Sequence, residues 1–266
     1  FGITFHEGYW YVSTVDGSGE VYAIDTNTYQ VDLNAGFSTE FRLNGRMVST
    51  SIPGRPPQNQ LLVGTTIYNS TFTGATAGIY NSNDVQINYL INDNFAPSTS
   101  DFAQHSDGRI FVGGLFEGNL FVCDAEGNPL RTIDCNGFNA YGLGLSEDES
   151  LLVMCDLYDT SLAFVDVANE TFISDISISA LGYGVPNDAV FALGKLYVSD
   201  QGSENVLVFD QIPSFTPNNN YAGDVLISNP TPKGGELVTV TMQAARNQMG
   251  WLIGSNDDIA TNSNGI

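Results

Sequence analysis

A repeat restricts this chain more than any other feature. Six times an apolar run ending in Val or Ile gives way to a polar loop rich in Gly, Asp and Asn, and a second apolar run usually follows. The repeats open at Trp10 (WYVSTVDGSGEVYAID), Leu61 (LLVGTTIYNSTFTGATAGIYN), Ile110 (IFVGGLFEGNLFVCD), Leu151 (LLVMCDLYDTSLAFVD), Leu196 (LYVSDQGSENVLVFD) and Trp251 (WLIGSNDDIATNSNGI). A period of about 40 to 50 residues, built from β-branched and aromatic runs between turn residues, is the sequence form of a β-propeller. The expected fold is therefore all-β, a six-bladed propeller of four-stranded antiparallel blades forming one domain over residues 1–266. Blade boundaries fall at 1–39, 40–96, 97–139, 140–184, 185–232 and 233–266. Because the last repeat stops at Ile266 in its third strand, a seven-bladed or incomplete ring is the alternative, with chain continuing beyond one end.

The fourth unit shows the expected order of strands: YGLGL innermost, SLLVMCD second, SLAFVDV third and TFISDISI outermost. First and second strands are joined by short polar turns, written HEG, HSDG, SEDES and ALG in different units, which suit antiparallel hairpins. Gly142 and Gly144 fit an inner strand crowded at the axis. Residues 44–60 and 209–233 are rich in Pro and Asn and are expected as surface loops, since Pro lacks the amide hydrogen a central strand needs. Residues 234–252 read as a further inner strand and turn.

Charge narrows the partners. The formal net charge is −22, from 30 Asp and Glu against only 8 Lys and Arg. Phosphate recognition needs clustered bases, so nucleic acid and anionic membrane surfaces are excluded as partners. No apolar run approaches the roughly 18 residues of a membrane span, and no charged start precedes an apolar signal segment, so membrane insertion is not expected. The opening FGITF reads as a mature or trimmed product. Cys123 and Cys135 flank DAEGNPLRTID, a hairpin in which they could face each other as a disulfide; three buried thiols, Cys155 included, are the alternative. Asn69-Ser-Thr and Asn169-Glu-Thr match the glycosylation sequon, which matters only in a eukaryotic secretory pathway.

With these runs in view, GKLYVSDQGSENVLVFD and AYGLGLSEDESLLVMCDLYDTSLAFVDV resemble the repeats of the propeller group that holds NHL, YVTN-type and gluconolactonase-like proteins. The likeness covers nearly the whole chain as a repeat pattern and is specific to architecture. Its gluconolactonase-like branch implies one divalent cation in the central channel, held by a Glu, two Asn and an Asp at inner-strand starts, which polarises a lactone carbonyl or its attacking water. Carried onto this chain, the pattern gives a metal set of Asp101, Asn139, Asn187 and Asp188, with Ca²⁺ as the ion and Tyr141 beside it. FGITF offers no Glu, Ser100 stands where an Asn belongs, and Asn139 is displaced; only Asn187-Asp188 sits as the branch has it. The competing reading of Pro186-Asn187-Asp188 is a turn whose Asx side chains cap the backbone.

Other chemistries lack their residues. There is no Gly-x-Ser-x-Gly elbow, no close pair of zinc ligands, and no phosphate loop opening a helix. His6 and His105 occupy the same turn position in their units, which suits turns better than general-base catalysis. The acidic loops at 15–20, 156–161, 200–205 and 255–258 lack calcium-loop spacing and read as hairpin turns. Loop aromatics are the candidates for ligand or protein contact: Tyr158 and Phe116 above all, with Phe215 and Tyr221. The expected function is a non-catalytic binding, adhesion or structural assembly module, extracellular or at the cell surface, with the periplasm as the alternative location. Its partners would be protein or glycan, including self-assembly. The second expectation is a metal-dependent lactonase- or esterase-like hydrolase with a divergent channel site.

Overall fold

The structure is a computed structural model, and it describes residues 2–14, 19–39, 44–50, 60–65, 75–81, 86–92, 95–97, 99–156, 158–179, 184–209, 221–227 and 237–246. Alternating and continuous apolar runs become strands throughout, and no helix among the described residues is long and apolar enough to cross a membrane. The all-β expectation is met, with several four-stranded antiparallel sheets. The chain divides into two compact units, Phe1–Tyr141 and Gly142–Ile266.

Three sheets form the first unit. The first runs β1 (Ile3–His6), β2 (Tyr9–Ser13), β3 (Glu20–Asp25) and β4 (Val31–Ser38) in sequence order. The second takes β5 (Asn44–Thr50), β6 (Gln60–Thr65), β7 (Ala75–Asn81) and β8 (Gln86–Asn92), and the third β9 (Asp101–Gln104), β10 (Ile110–Gly113), β11 (Asn119–Cys123) and β12 (Pro129–Asp134). The middle sheet explains why LLVG is apolar without a break. Leu61 and Val63 pack with Tyr11, Val21, Ala23 and Phe37 of the first sheet, while Leu62 packs with Phe102, Ile110, Val112 and Phe121 of the third. A strand covered on both faces loses the polar half of its alternation.

The second unit repeats this arrangement. Its first sheet orders β13 (Gly142–Leu145), β14 (Leu151–Asp156), β15 (Ser161–Asp166) and β16 (Thr171–Ser177), the four strands read from residues 140–184. The other contains β17 (Pro186–Ala192), β18 (Lys195–Asp200), β19 (Asn205–Phe209), β20 (Tyr221–Ile227) and β21 (Leu237–Arg246). Val153, Cys155, Leu162 and Phe164 meet Ala189, Phe191, Val198 and Leu207 in one core. Two-residue turns set the hairpin registers: Glu7-Gly8 (φ 47° and 89°) and Leu193-Gly194 (φ 54° and 72°) both have positive φ at both positions, the primed geometry that matches strand twist.

Several expectations need correction. Residues 44–60 and 209–233 are not wholly loops: β5 takes 44–50, with Met47 buried, and β20 takes 221–227, so Tyr221 opens a strand. The prolines responsible for the loop reading, Pro53, Pro56, Pro57, Pro213, Pro217, Pro230 and Pro232, all lie outside those strands. The stretch expected as a new inner strand, β21, instead pairs parallel with β19 and antiparallel with β20, giving the order β17-β18-β19-β21-β20. The Cys123–Cys135 disulfide is replaced by two buried thiols. Cys123 pairs opposite Pro129 and Asn119 opposite Asp134, so the cysteines sit at opposite ends of the β11–β12 ladder. That separation is about 15 Å along the strands, against the roughly 7 Å between Cα atoms that a disulfide tolerates. The repeat at Trp251, the loops at 15–18 and 255–258, Asn69 and Phe215 lie outside the described residues.

Candidate functional site

The structure divides the proposed metal set between the two units: Asp101, Asn139 and Tyr141 belong to the first, Asn187 and Asp188 to the second. Asp101 opens β9 and is buried, and its Oδ1 accepts the Phe102 amide at 2.8 Å. Beside it the buried Ser100 hydroxyl donates to the Ala140 carbonyl, and a Cβ on Gly113 would meet that same carbonyl at 2.6 Å. Asn139 and Tyr141 are half-buried on either side of Ala140.

Pro186-Asn187-Asp188 turns out to be neither a cage corner nor a turn before a strand. It lies inside β17 as a bulge: Pro186 pairs with Asp200 and Asp188 with Ser199, leaving Asn187 as the extra residue. Asp188 Oδ1 accepts the Ala189 amide at 2.9 Å, the same next-residue cap that Asp101 makes in β9. A hard cation takes six to eight oxygen ligands. Among the described residues no three His, Cys, Asp or Glu side chains converge, and both candidate carboxylates place an oxygen on a backbone amide. The described donors do not fit a calcium cage, and no step is routed through one.

Two carboxylates that sequence reading passed over are the most deeply buried. Asp156 and Asp200 close β14 and β18, each the last residue of the second strand of its sheet, and are 0% and 2% exposed. Oδ1 of Asp156 accepts the amides of Tyr158 and Asp159 at 2.7 and 3.0 Å. Asp200 reaches both ways: Oδ1 accepts from Val185 at 2.7 Å, and Oδ2 accepts the Ser203 amide at 3.0 Å and the Ser203 hydroxyl. Ser13, at the same position in β2, holds the Gly2 amide at 2.7 Å. An Asp directly after an apolar run in both LLVMCD and KLYVSD is the signal that could have found them.

These carboxylates brace loops that carry exposed aromatics. Tyr158 lies in the β14–β15 loop, 56% exposed, with its amide on Asp156. Phe116 lies in the corresponding β10–β11 loop of the first unit, 57% exposed, with its amide on Glu117 Oε2 at 3.0 Å. A third set of acidic residues makes turns: Asp25 accepts the Asn27 and Thr28 amides, Asp148 the Ser146 and Ser150 hydroxyls, and Asp166 the Asn169 amide.

Hydrogen bonding holds the Asp25 and Asp148 carboxyls below their usual value, chiefly through the Thr28 amide and the Ser146 hydroxyl. For Asp166 burial pushes the other way, and the Asn169 amide and side chain outweigh it. Depressed folded-state values mean that this stabilisation is complete above about pH 4 and is lost as pH falls through the lowered values. Thermal midpoints should therefore be flat from pH 6 to pH 5 and fall below pH 4. In Asp148→Ala the acid limb of that curve should be shallower, which thermal melts across the range would measure. The thiols behave oppositely: burial pushes Cys123 and Cys135 up to about 12, so both are protonated at neutral pH.

No known protein family matches the sequence, and no curated protein matches it. Solved structures do resemble it. A chain of Kuenenia stuttgartiensis hydrazine synthase superposes with a TM-score of 0.58 at 16% identity, covering 83% of this chain and 58% of that one. A chain of the nidogen/laminin complex gives 0.62 at 11% identity, covering 91% of this chain and 84% of that one. This chain thus spans little more than half of the hydrazine synthase chain it resembles. At such identities the likeness carries the fold, an all-β chain of propeller-like sheets, and neither neighbour's activity.

Proposed function

We propose that this chain is a non-catalytic extracellular binding module, a six-bladed propeller that holds a protein partner through loops between the second and third strands of its sheets. The observation that supports this reading is the pair of exposed aromatics, Phe116 and Tyr158, at equivalent loops whose backbones are fastened by carboxylates. Aromatic anchors dominate binding energy at interfaces, and loops already ordered in the free protein lose less entropy on binding. Fold likeness to a chain of the nidogen/laminin complex agrees with a role in protein assembly.

Photo-crosslinking from both loops, with mass spectrometry and reciprocal capture by the purified partner, tests the reading. The Phe116→Ala/Tyr158→Ala double variant is expected to bind that partner at least tenfold more weakly, the scale of an interface hot spot, with its melting temperature within about 2 °C of the parent. Undiminished binding by the double variant would overturn it. So would lactone hydrolysis that depends on Ca²⁺ and is lost in Asn187→Ala, since that is the behaviour of the hydrolase alternative.

A further inference from the structure

The first sheet is apolar on both faces, and only one is covered. Tyr11, Val21, Ala23 and Phe37 point into the core with Met47, Leu61 and Val63 of the second sheet. On the other face the strand register builds two apolar ladders. Phe5, Trp10, Ile24 and Val31 run across all four strands, and Ile3, Val12 and Tyr22 across three. Five of these remain strongly exposed: Ile3 64%, Phe5 49%, Trp10 42%, Tyr22 39% and Val31 52%. At about 200 Å² per large side chain, these fractions amount to roughly 500 Å² of contiguous apolar surface. That is at the upper end of what a monomer leaves in water without a use for it.

We propose that this face docks the apolar face of a β-sheet in another protein, one whose rim carries Lys or Arg. The shape follows from the covered side, where the same sheet already accepts a second sheet with aromatic and aliphatic side chains interleaved; twisted sheets stack in this way at about 10 Å. Charge identifies the occupant. No Lys or Arg precedes Arg42, while Glu7, Asp16, Glu20, Asp25, Asp32 and Glu40 do. A second copy would bring the same acids against these, which opposes self-pairing, whereas a basic rim complements them. The face belongs to β1–β4 and does not depend on the loops of Phe116 and Tyr158.

The probe is a synthetic β-hairpin with Val, Ile and Phe on one face and Lys at its margins, titrated into a Trp251→Phe form in which Trp10 is the sole tryptophan. Binding should shift Trp10 emission to the blue, reduce acrylamide quenching severalfold and weaken steeply with salt. Phe5→Asp and Tyr22→Asp, both at exposed positions, should each weaken it at least tenfold, and Phe116→Ala/Tyr158→Ala should leave it unchanged. The same hairpin with Glu in place of Lys should fail to bind. Equal binding by Phe5→Asp and Tyr22→Asp would reduce the effect to charge attraction and overturn the proposal. Quenching of Trp10 already suppressed in the isolated monomer would overturn it too, because the chain would then be covering this face itself. A concentration-dependent dimer by light scattering, abolished by Phe5→Asp, would assign the face to a second copy instead.

Discussion

Gly144→Val is expected to destabilise the protein by about 3 kcal/mol, which for a chain of this size lowers the melting temperature by roughly 6–12 °C. The glycine lies in β13, where a Cβ would stand 2.7 Å from the Ala189 carbonyl oxygen and 3.1 Å from Val153 Cγ1. Both the obstructing oxygen and its carbonyl carbon are backbone atoms of β17, so no rotamer change relieves the clash. Gly142 is in the same position: its Cβ would meet the Asn187 carbonyl and lie 2.8 Å from Asp188 Cα. The bulge at Asn187 is thus what brings β17 closest to β13, and Gly142→Val should be at least as damaging. Gly184→Ala is the control, since the nearest atom to its Cβ is Thr160 Cγ2 at 4.0 Å. Its stability should stay within about 0.5 kcal/mol of the parent. Urea titrations of the three variants measure the differences; a Gly144→Val protein as stable as Gly184→Ala would mean that β13 and β17 do not approach so closely.

Asp200→Ala should cost about 3–4 kcal/mol, because it strands the amides of Val185 and Ser203 in a place water does not reach. Asp200→Asn keeps a carbonyl oxygen for one of the two sides and should cost about half as much. The two substitutions separate hydrogen bonding from packing, since Asn matches Asp in shape. Asp156→Ala should fall in the same range, with the additional effect of freeing the Tyr158 loop. Amide exchange in that loop would accelerate, and any partner bound through Tyr158 would be lost along with it. Denaturant midpoints and hydrogen exchange together provide the measurement.

These two groups also mark what the sequence could and could not reveal. The sheets of residues 1–39, 101–134 and 142–177 are legible because their apolar residues recur at strand spacing and their turns contain Gly, Asp or Asn where positive φ is needed. Strands β5 and β20 are hidden by their surroundings: prolines just outside them dominate a composition-based reading, although Pro excludes a strand only at its own position. The parallel pairing of β21 with β19 depends on partners distant in sequence, and no local pattern encodes it.

The candidate site was less legible than the fold. Pro186-Asn187-Asp188 looked like ligands or a turn, and became a bulge only once the register against Asp200 and Ser199 was known. Asp156 and Asp200 looked like ordinary turn acids, because Asp seldom occurs buried and sequence carries no direct record of depth. Cys123 and Cys135 have a plausible spacing for a hairpin disulfide, but register alone decides whether they face one another.

The three buried thiols supply the protein with an internal stopwatch. Cys123 and Cys135 lie in the first unit and Cys155 in the second, and none can react while its sheet is closed. A thiol reagent in excess therefore records not cysteine chemistry but how often each unit breathes open. Followed by mass spectrometry on the unmodified chain, the labelling times of Cys123 and Cys155 would rank the two halves by local stability without a single introduced probe.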